Sequence, residues 1–175
     1  MPISERALYM VLPGLKGESK MSQTIIFAFD KDGNSEEHGY TKNAWHGAMA
    51  VWDIMGKRYL GIGASIFDES AMKRIWNLMD NKRVSMNERI VMATTLDRCL
   101  VRNDEIPKVI EAFRSFEGET TLEEQADILQ DIYDSGDYTA VGWHQNSISC
   151  EMWNEYNYMT EENHWWLFDE LEKEA

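Results

Sequence analysis

Apolar residues in this chain recur in two rhythms. Some sit in short runs of Ile, Phe, Tyr and Val, and others return every third or fourth position over longer stretches. The first rhythm predicts strands at residues 7–12 and 24–29. The second of these runs into Asp30-Lys31-Asp32-Gly33-Asn34, a cluster of turn residues that predicts a chain reversal. Thr41 is placed to cap a helix over 42–55, with Trp45, Ala48, Trp52 and Met55 on one face and Gly56 as its stop. Residues 59–66 read as a strand in which Gly61 and Gly63 mark a bulge or close backbone approach. Asp68 then caps a helix over 69–81 whose inward stripe is Met72, Ile75, Trp76 and Met79.

Residues 89–101 read as extended. Asn103 or Asp104 opens a third helix in which Ile106, Val109, Ile110, Phe113 and Phe116 share a face, Pro107 being tolerated in its first turn. Thr121 and Glu124 form a capping box for a fourth helix, with Leu122, Ala126, Leu129 and Tyr133 inward and Ser135-Gly136 as the stop. Residues 138–148 are a strand candidate, and 150–159 fit either a helical turn or an edge strand. Thr160, with Glu161 and Glu162 behind it, predicts a terminal helix carrying its acids at the favourable end. Interleaved strands and helices, without repeats or low-complexity linkers, point to one α+β domain over residues 1–175. About five helices are expected on a mostly antiparallel sheet, with an acidic C-terminal helix.

Charge changes this picture more than composition does. The formal net charge is −14, and all of it lies in residues 119–175, where fifteen acidic residues face one basic residue, Lys173. Residues 1–118 hold sixteen acidic and sixteen basic residues and are neutral. At 43% hydrophobic residues, seven of them Trp, the chain has ample material for a core. Cys99 and Cys150, the only cysteines, form no Cys-x-x-Cys pair, which suits two free thiols in a reducing compartment. Residues 1–15 lack the order of a secretory signal, and no apolar run nears the ~20 residues of a membrane span. A soluble cytoplasmic protein is expected, with Met21 as an alternative start.

Candidate chemistry begins at Asp30. A hydrophobic strand ending in Asp30-Lys31-Asp32-Gly33 resembles the first motif of haloacid-dehalogenase-type phosphatases, which implies Asp30 as nucleophile and Asp32 as acid and base beside magnesium. No later acidic pair follows at a strand end, and Lys31 departs from the less polar residue expected there. The same residues resemble the start of an EF-hand calcium loop, with Asp30, Asp32 and Asn34 at its first three ligand positions. Ser35 and Thr41 stand where that loop needs glycine and a bidentate acid. His38, His46, His144 and His164 show no metal-ligand spacing, although His144 and Cys150 lie within reach of a nucleophile pair. Neither a phosphate-binding glycine loop nor a Gly-x-Ser-x-Gly elbow is present. No cofactor and no metal are expected.

The acidic third carries the leading expectation. Carboxylates repel phosphates, so direct binding to nucleic acid is disfavoured and a basic protein surface is the expected partner. The expected contact residues are Glu151, Glu155, Glu161, Glu162, Trp166, Asp169, Glu170, Glu172 and Glu174, with Trp166 pushed from a Trp165–Phe168–Leu171 stripe to serve as anchor. In its special form the acidic surface imitates nucleic acid and inhibits a nucleic-acid-binding protein. In size and charge the chain is similar to small acidic antirestriction and anti-CRISPR proteins of phages, a likeness of composition without a shared motif. Two alternatives stand beside it: a metal-dependent hydrolase built on Asp30 and Asp32, and a structural protein that self-associates through exposed Trp and Met.

Overall fold

The computed structural model describes Ile3 and residues 23–42, 47–146, 157–160 and 163–173. Its strands are β1 (Gln23–Phe29), β2 (Ser35–Lys42), β3 (Cys99–Arg102), β4 (Ala140–Asn146) and β5 (Trp165–Trp166). They form one sheet in the order β2-β1-β4-β3-β5, antiparallel except where the two-residue β5 pairs parallel to β3. Six α-helices lie among the described residues: α1 (Ala48–Leu60), α2 (Glu69–Trp76), α3 (Met86–Thr94), α4 (Ile106–Ser115), α5 (Leu122–Ser135) and α6 (Leu167–Lys173). The chain is an α+β protein, and none of these helices is long and apolar enough to cross a membrane.

Strand alternation divides the core in two. Ile26 and Ala28 of β1, Cys99 and Val101 of β3, Val141 and Trp143 of β4, and Trp165 of β5 join the apolar cluster to which all six helices contribute. The intervening residues Ile25, Phe27, Phe29, Leu100 and Ala140 form a second cluster on the opposite face, against which Tyr158 and Trp166 pack. A strand buried on both sides needs apolar residues at every position, and the run Ile25-Ile26-Phe27-Ala28-Phe29 supplies them. Two indoles of the helical face have their polar atoms satisfied, whereas the buried Trp76 Nε1 has no hydrogen-bond partner among the described residues. Trp143 Nε1 donates to Gln125 Oε1 at 3.1 Å, and Trp52 Nε1 donates to Thr95 Oγ1 at 2.9 Å.

Several elements differ from the expected ones for identifiable reasons. The hairpin strand β2 runs through Thr41 to Lys42, paired with Thr24 and Gln23, so Thr41 sits in a ladder and the helix starts at Ala48 instead. That helix continues past Gly56 to Leu60. The left-handed residue that stops it is Gly61, at φ 66°, and residues 59–66 are therefore a helix end and a loop, not a strand. Residues 89–94 are helical. Ser85 Oγ accepts from Glu88 N while Glu88 Oε2 accepts from Ser85 N, a capping box that outweighs the β-prone Ile90-Val91 run. On α5 Thr121 makes no side-chain cap, and Ile132, rather than Tyr133, completes the inward stripe. Thr160 lies in a turn, and the terminal helix is α6, which begins at Leu167. The strand expected at 7–12 lies outside the described residues, as do Trp45 and residues 150–156.

Expected elements that do form include β1, the Asp30–Asn34 reversal, the Asp68 cap, which accepts from Ala71 N at 2.9 Å, and the Gly136 stop at φ 71°. Glu88 also ties α3 to α1, accepting from Arg58 at 2.6 Å and Tyr59 Oη at 2.7 Å. Burial is the largest single influence on its carboxyl and opposes ionisation, yet the bonds from Ser85, Tyr59 and Arg58 together hold it below the usual range.

Gly56 shows why composition within a helix is not free. A Cβ there would stand 2.6 Å from the Ile62 carbonyl oxygen and 2.8 Å from Ile75 Cδ1, at the close approach of α1 to its own following loop and to α2. In an open helix Gly→Ala gains up to ~1 kcal/mol. Here overpacking costs about 1–3 kcal/mol and reverses the sign. Gly56→Ala is therefore expected to lower the midpoint of urea unfolding; a raised midpoint would mean that this approach is loose.

Candidate functional site

The Asp30–Asn34 turn is built around one carboxylate. Asp30 Oδ1 accepts from Asp32 N at 2.8 Å and Asn34 N at 2.9 Å, and Asn34 Nδ2 reaches Asp30 Oδ2 at 3.2 Å. The backbone and side-chain bonds from Asn34 lead in holding this carboxyl below the usual range. Gly33, at φ 82°, closes the turn, and oxygens on either side of it meet another part of the chain: Asn157 Nδ2 donates to Asp32 O at 2.9 Å and Asn34 Oδ1 at 3.0 Å. The oxygen cluster that resembles a calcium loop thus faces N–H donors. Asp32 is exposed, and no group of three or more His, Cys, Asp or Glu able to hold a metal occurs among the described residues. The hairpin works here as a receptor for residues 157–160.

The histidines are dispersed. His38 is half-buried, edge-on to Tyr138 at 4.8 Å between ring centroids. His144 is buried on the second face of the sheet, with Nδ1 3.0 Å from Asp97 Oδ1. His164 packs on Tyr158 and Trp166. Cys99 is buried in the helix-side core, and His46 and Cys150 lie outside the described residues, the expected His144–Cys150 pair with them.

Of the nine residues expected to contact a partner, Glu151, Glu155, Glu161, Glu162 and Glu174 lie outside the described residues. Trp166 is half-buried: the Arg102 guanidinium stacks 4.4 Å over its ring, and Tyr158 meets its ring edge-on at 5.4 Å. Arg102 also grips Asp169 through two parallel bonds of 2.8 Å, which hold the Asp169 carboxyl below the usual range. Glu170 pairs with Lys173 at 3.1 Å, and Glu172 is exposed. Around Arg102 this segment is therefore organised as a clasp that holds β5 and α6 to β3.

The more coherent acidic surface is on α5. Glu123, Glu124, Asp127, Asp131 and Asp134 are all exposed, and Glu123, Asp127, Asp131 and Asp134 fall on one stripe at spacings of three or four. Asp137, beyond the Gly136 stop, is exposed as well. The one cation reaching this stripe among the described residues is Arg114 of α4, 3.0 Å from Asp127 and 3.6 Å from Glu123. The signal was in the sequence: the helical period that assigns Leu122, Ala126 and Leu129 inward assigns the acids between them outward. No family model, curated protein or solved structure matches the chain.

Two outcomes follow from this geometry. The Arg102 ion pair is partly exposed and contributes at most ~1 kcal/mol, with a similar amount from stacking on Trp166. Arg102→Ala is expected to lower stability by about 1–2 kcal/mol, and Arg102→Lys to recover less than half of it, because lysine offers neither the fork nor the flat stacking surface. Full recovery by lysine in thermal unfolding would contradict the clasp. The second outcome concerns Tyr138, whose hydroxyl donates to Glu36 Oε2 at 2.7 Å. That bond leads in pushing its pKa up to about 12. The raised folded value means that the pair stabilises the fold below the free tyrosine range, about pH 10, and loses this effect as pH rises through about 12. Absorbance titration at alkaline pH should show a late tyrosine component that shrinks in Tyr138→Phe and moves to lower pH in Glu36→Gln, while Tyr59, raised by its own bond to Glu88, is unchanged in both.

Proposed function

We propose that the chain is a non-enzymatic acidic binding protein that recognises a basic protein surface, and that its most specific role is to inhibit a nucleic-acid-binding protein by charge mimicry. The observation that carries this is the outward face of α5. At 1.5 Å rise per residue, the step from Glu123 to Asp134 covers about 16 Å of helix axis. Four carboxylates share one stripe over that length, about one per 5 Å, with Glu124 beside them, against one phosphate per about 3.4 Å along a single nucleic-acid strand. A folded helix fixes these charges, so a basic groove shaped for phosphates meets them without first ordering a flexible tail. Glu172 adds a further exposed carboxylate, while Asp169 is committed to Arg102. The partner class is a basic protein, not nucleic acid and not a membrane, in a cytoplasmic setting.

The experiment compares the intact chain with a variant carrying Gln or Asn at Glu123, Glu124, Asp127, Asp131 and Asp134. Each is immobilised and exposed to a nuclease-treated cell lysate. The intact chain is expected to retain nucleic-acid-binding proteins that duplex DNA or transfer RNA displaces, and the variant to lose them. Equal retention by both, or retention that neither salt nor nucleic acid disturbs, would refute the proposal.

A further inference from the structure

Beside the acidic stripe, α4 and α5 leave a groove of about 500 Å³ lined by Pro107, Ile110, Glu111, Arg114, Gln130 and Tyr133, with Ser115 at one end. Pro107, Ile110 and the Tyr133 ring make it apolar, and the aliphatic stems of Glu111, Arg114 and Gln130 form its walls. Tyr133 lies four positions after Leu129, where the helical period asks for a core residue, yet it is 37% exposed. The amphipathic face of α5 thus continues past the protein's own core, and part of it is covered by nothing among the described residues.

The charges around this groove are unbalanced. Asp127 and Asp134 precede and follow Gln130 by three and four residues, so they border the groove along α5. Glu111 stands on the α4 wall. Arg114 is the cation of the lining, and it is engaged with Asp127 and Glu123. An apolar floor inside an acidic rim repels phosphate and attracts a segment that is apolar on one side and cationic on its flanks. The groove runs between helices of ten and fourteen residues, which suits a helix laid across them with one or two large side chains seated on Ile110 and Tyr133.

We propose that this groove is the docking site for an amphipathic helix of the partner, bearing Lys or Arg beside large apolar residues. The proposal rests on the recognition of a basic partner and locates the apolar contact that charge alone does not supply. Tyr133 is the anchoring side chain, of the kind that dominates interfaces when its ring is desolvated, and the acids of α5 orient the incoming helix.

The test uses the full chain with three synthetic probes: a fourteen-residue Leu/Lys amphipathic peptide, its Leu/Glu counterpart, and deca-lysine. Binding is followed by calorimetry and by amide chemical shifts. The Leu/Lys peptide is expected to shift the amides of Ile110, Gln130 and Tyr133, and Tyr133→Ser is expected to weaken it at least tenfold while leaving deca-lysine within twofold. Gln130→Lys, which places a cation in the groove wall, is expected to weaken it as well. Salt-sensitive deca-lysine binding without Leu/Lys shifts in the groove overturns the groove and leaves the electrostatic reading standing. Loss of deca-lysine binding, with Leu/Glu and Leu/Lys bound alike, overturns the electrostatic reading and the basic occupant together. Concentration-dependent shifts at the same residues without any peptide assign the groove to a second copy of the chain and also overturn the proposal.

Discussion

Everything in this fold depends on β1 being buried on both faces. A strand hydrogen-bonded to β2 on one side and β4 on the other, and apolar at five consecutive positions, must be covered twice. The helices cover one face. Tyr158 and Trp166, from the chain beyond β4, pack against the other, and this requirement explains details that otherwise look separate. Asn157 docks on the Asp30 turn, Tyr158 packs edge-on to Phe29, and Arg102 clamps Trp166 and Asp169. Chemistry-bearing residues at the hairpin and at the C-terminal clasp are used in holding that second cover.

The charge partition acquires a structural meaning from the same constraint. Aromatic residues near the C-terminus are drawn into the sheet, so in that region apolar burial and carboxylate display compete for the same short segments. On α5 they do not compete. Fourteen residues give a helix long enough for an inward stripe of Leu122, Ala126, Leu129 and Ile132 and a separate outward stripe of acids. A regular helix also fixes the spacing between charges, which a loop does not. Five of the described acids thus stand along one helix, next to an apolar groove.

Much of this architecture was legible from local signals. The run at β1, the Asp30–Asn34 reversal, the Asp68 cap, Pro107 in the first turn of α4 and Gly136 after α5 each state a boundary through the chemistry of one or two residues. Less legible were the places where a tertiary partner or an overlooked cap decided. Thr41 looks like a helix cap but is held in a strand by Thr24, a residue distant in sequence. Gly56 looks like a stop but is small because Ile62 and Ile75 crowd it. Ser85 and Glu88 did announce α3, and the β-branched residues after them pointed the other way. For the site, net charge localised the acids to a third of the chain, but only helical phase separates the row on α5 from carboxylates such as Asp169 that are engaged internally.

In the proposed role, the outward face of α5 is the surface that meets a basic partner. Carboxyl-specific labelling read by mass spectrometry tests it most directly, with the chain labelled alone and in complex with a protein it captures. Glu123, Glu124, Asp127, Asp131 and Asp134 are expected to label readily in the free chain and to become protected in the complex, while Asp30 and Asp169 change little. Unchanged labelling along α5, with protection confined to other carboxylates, would contradict it.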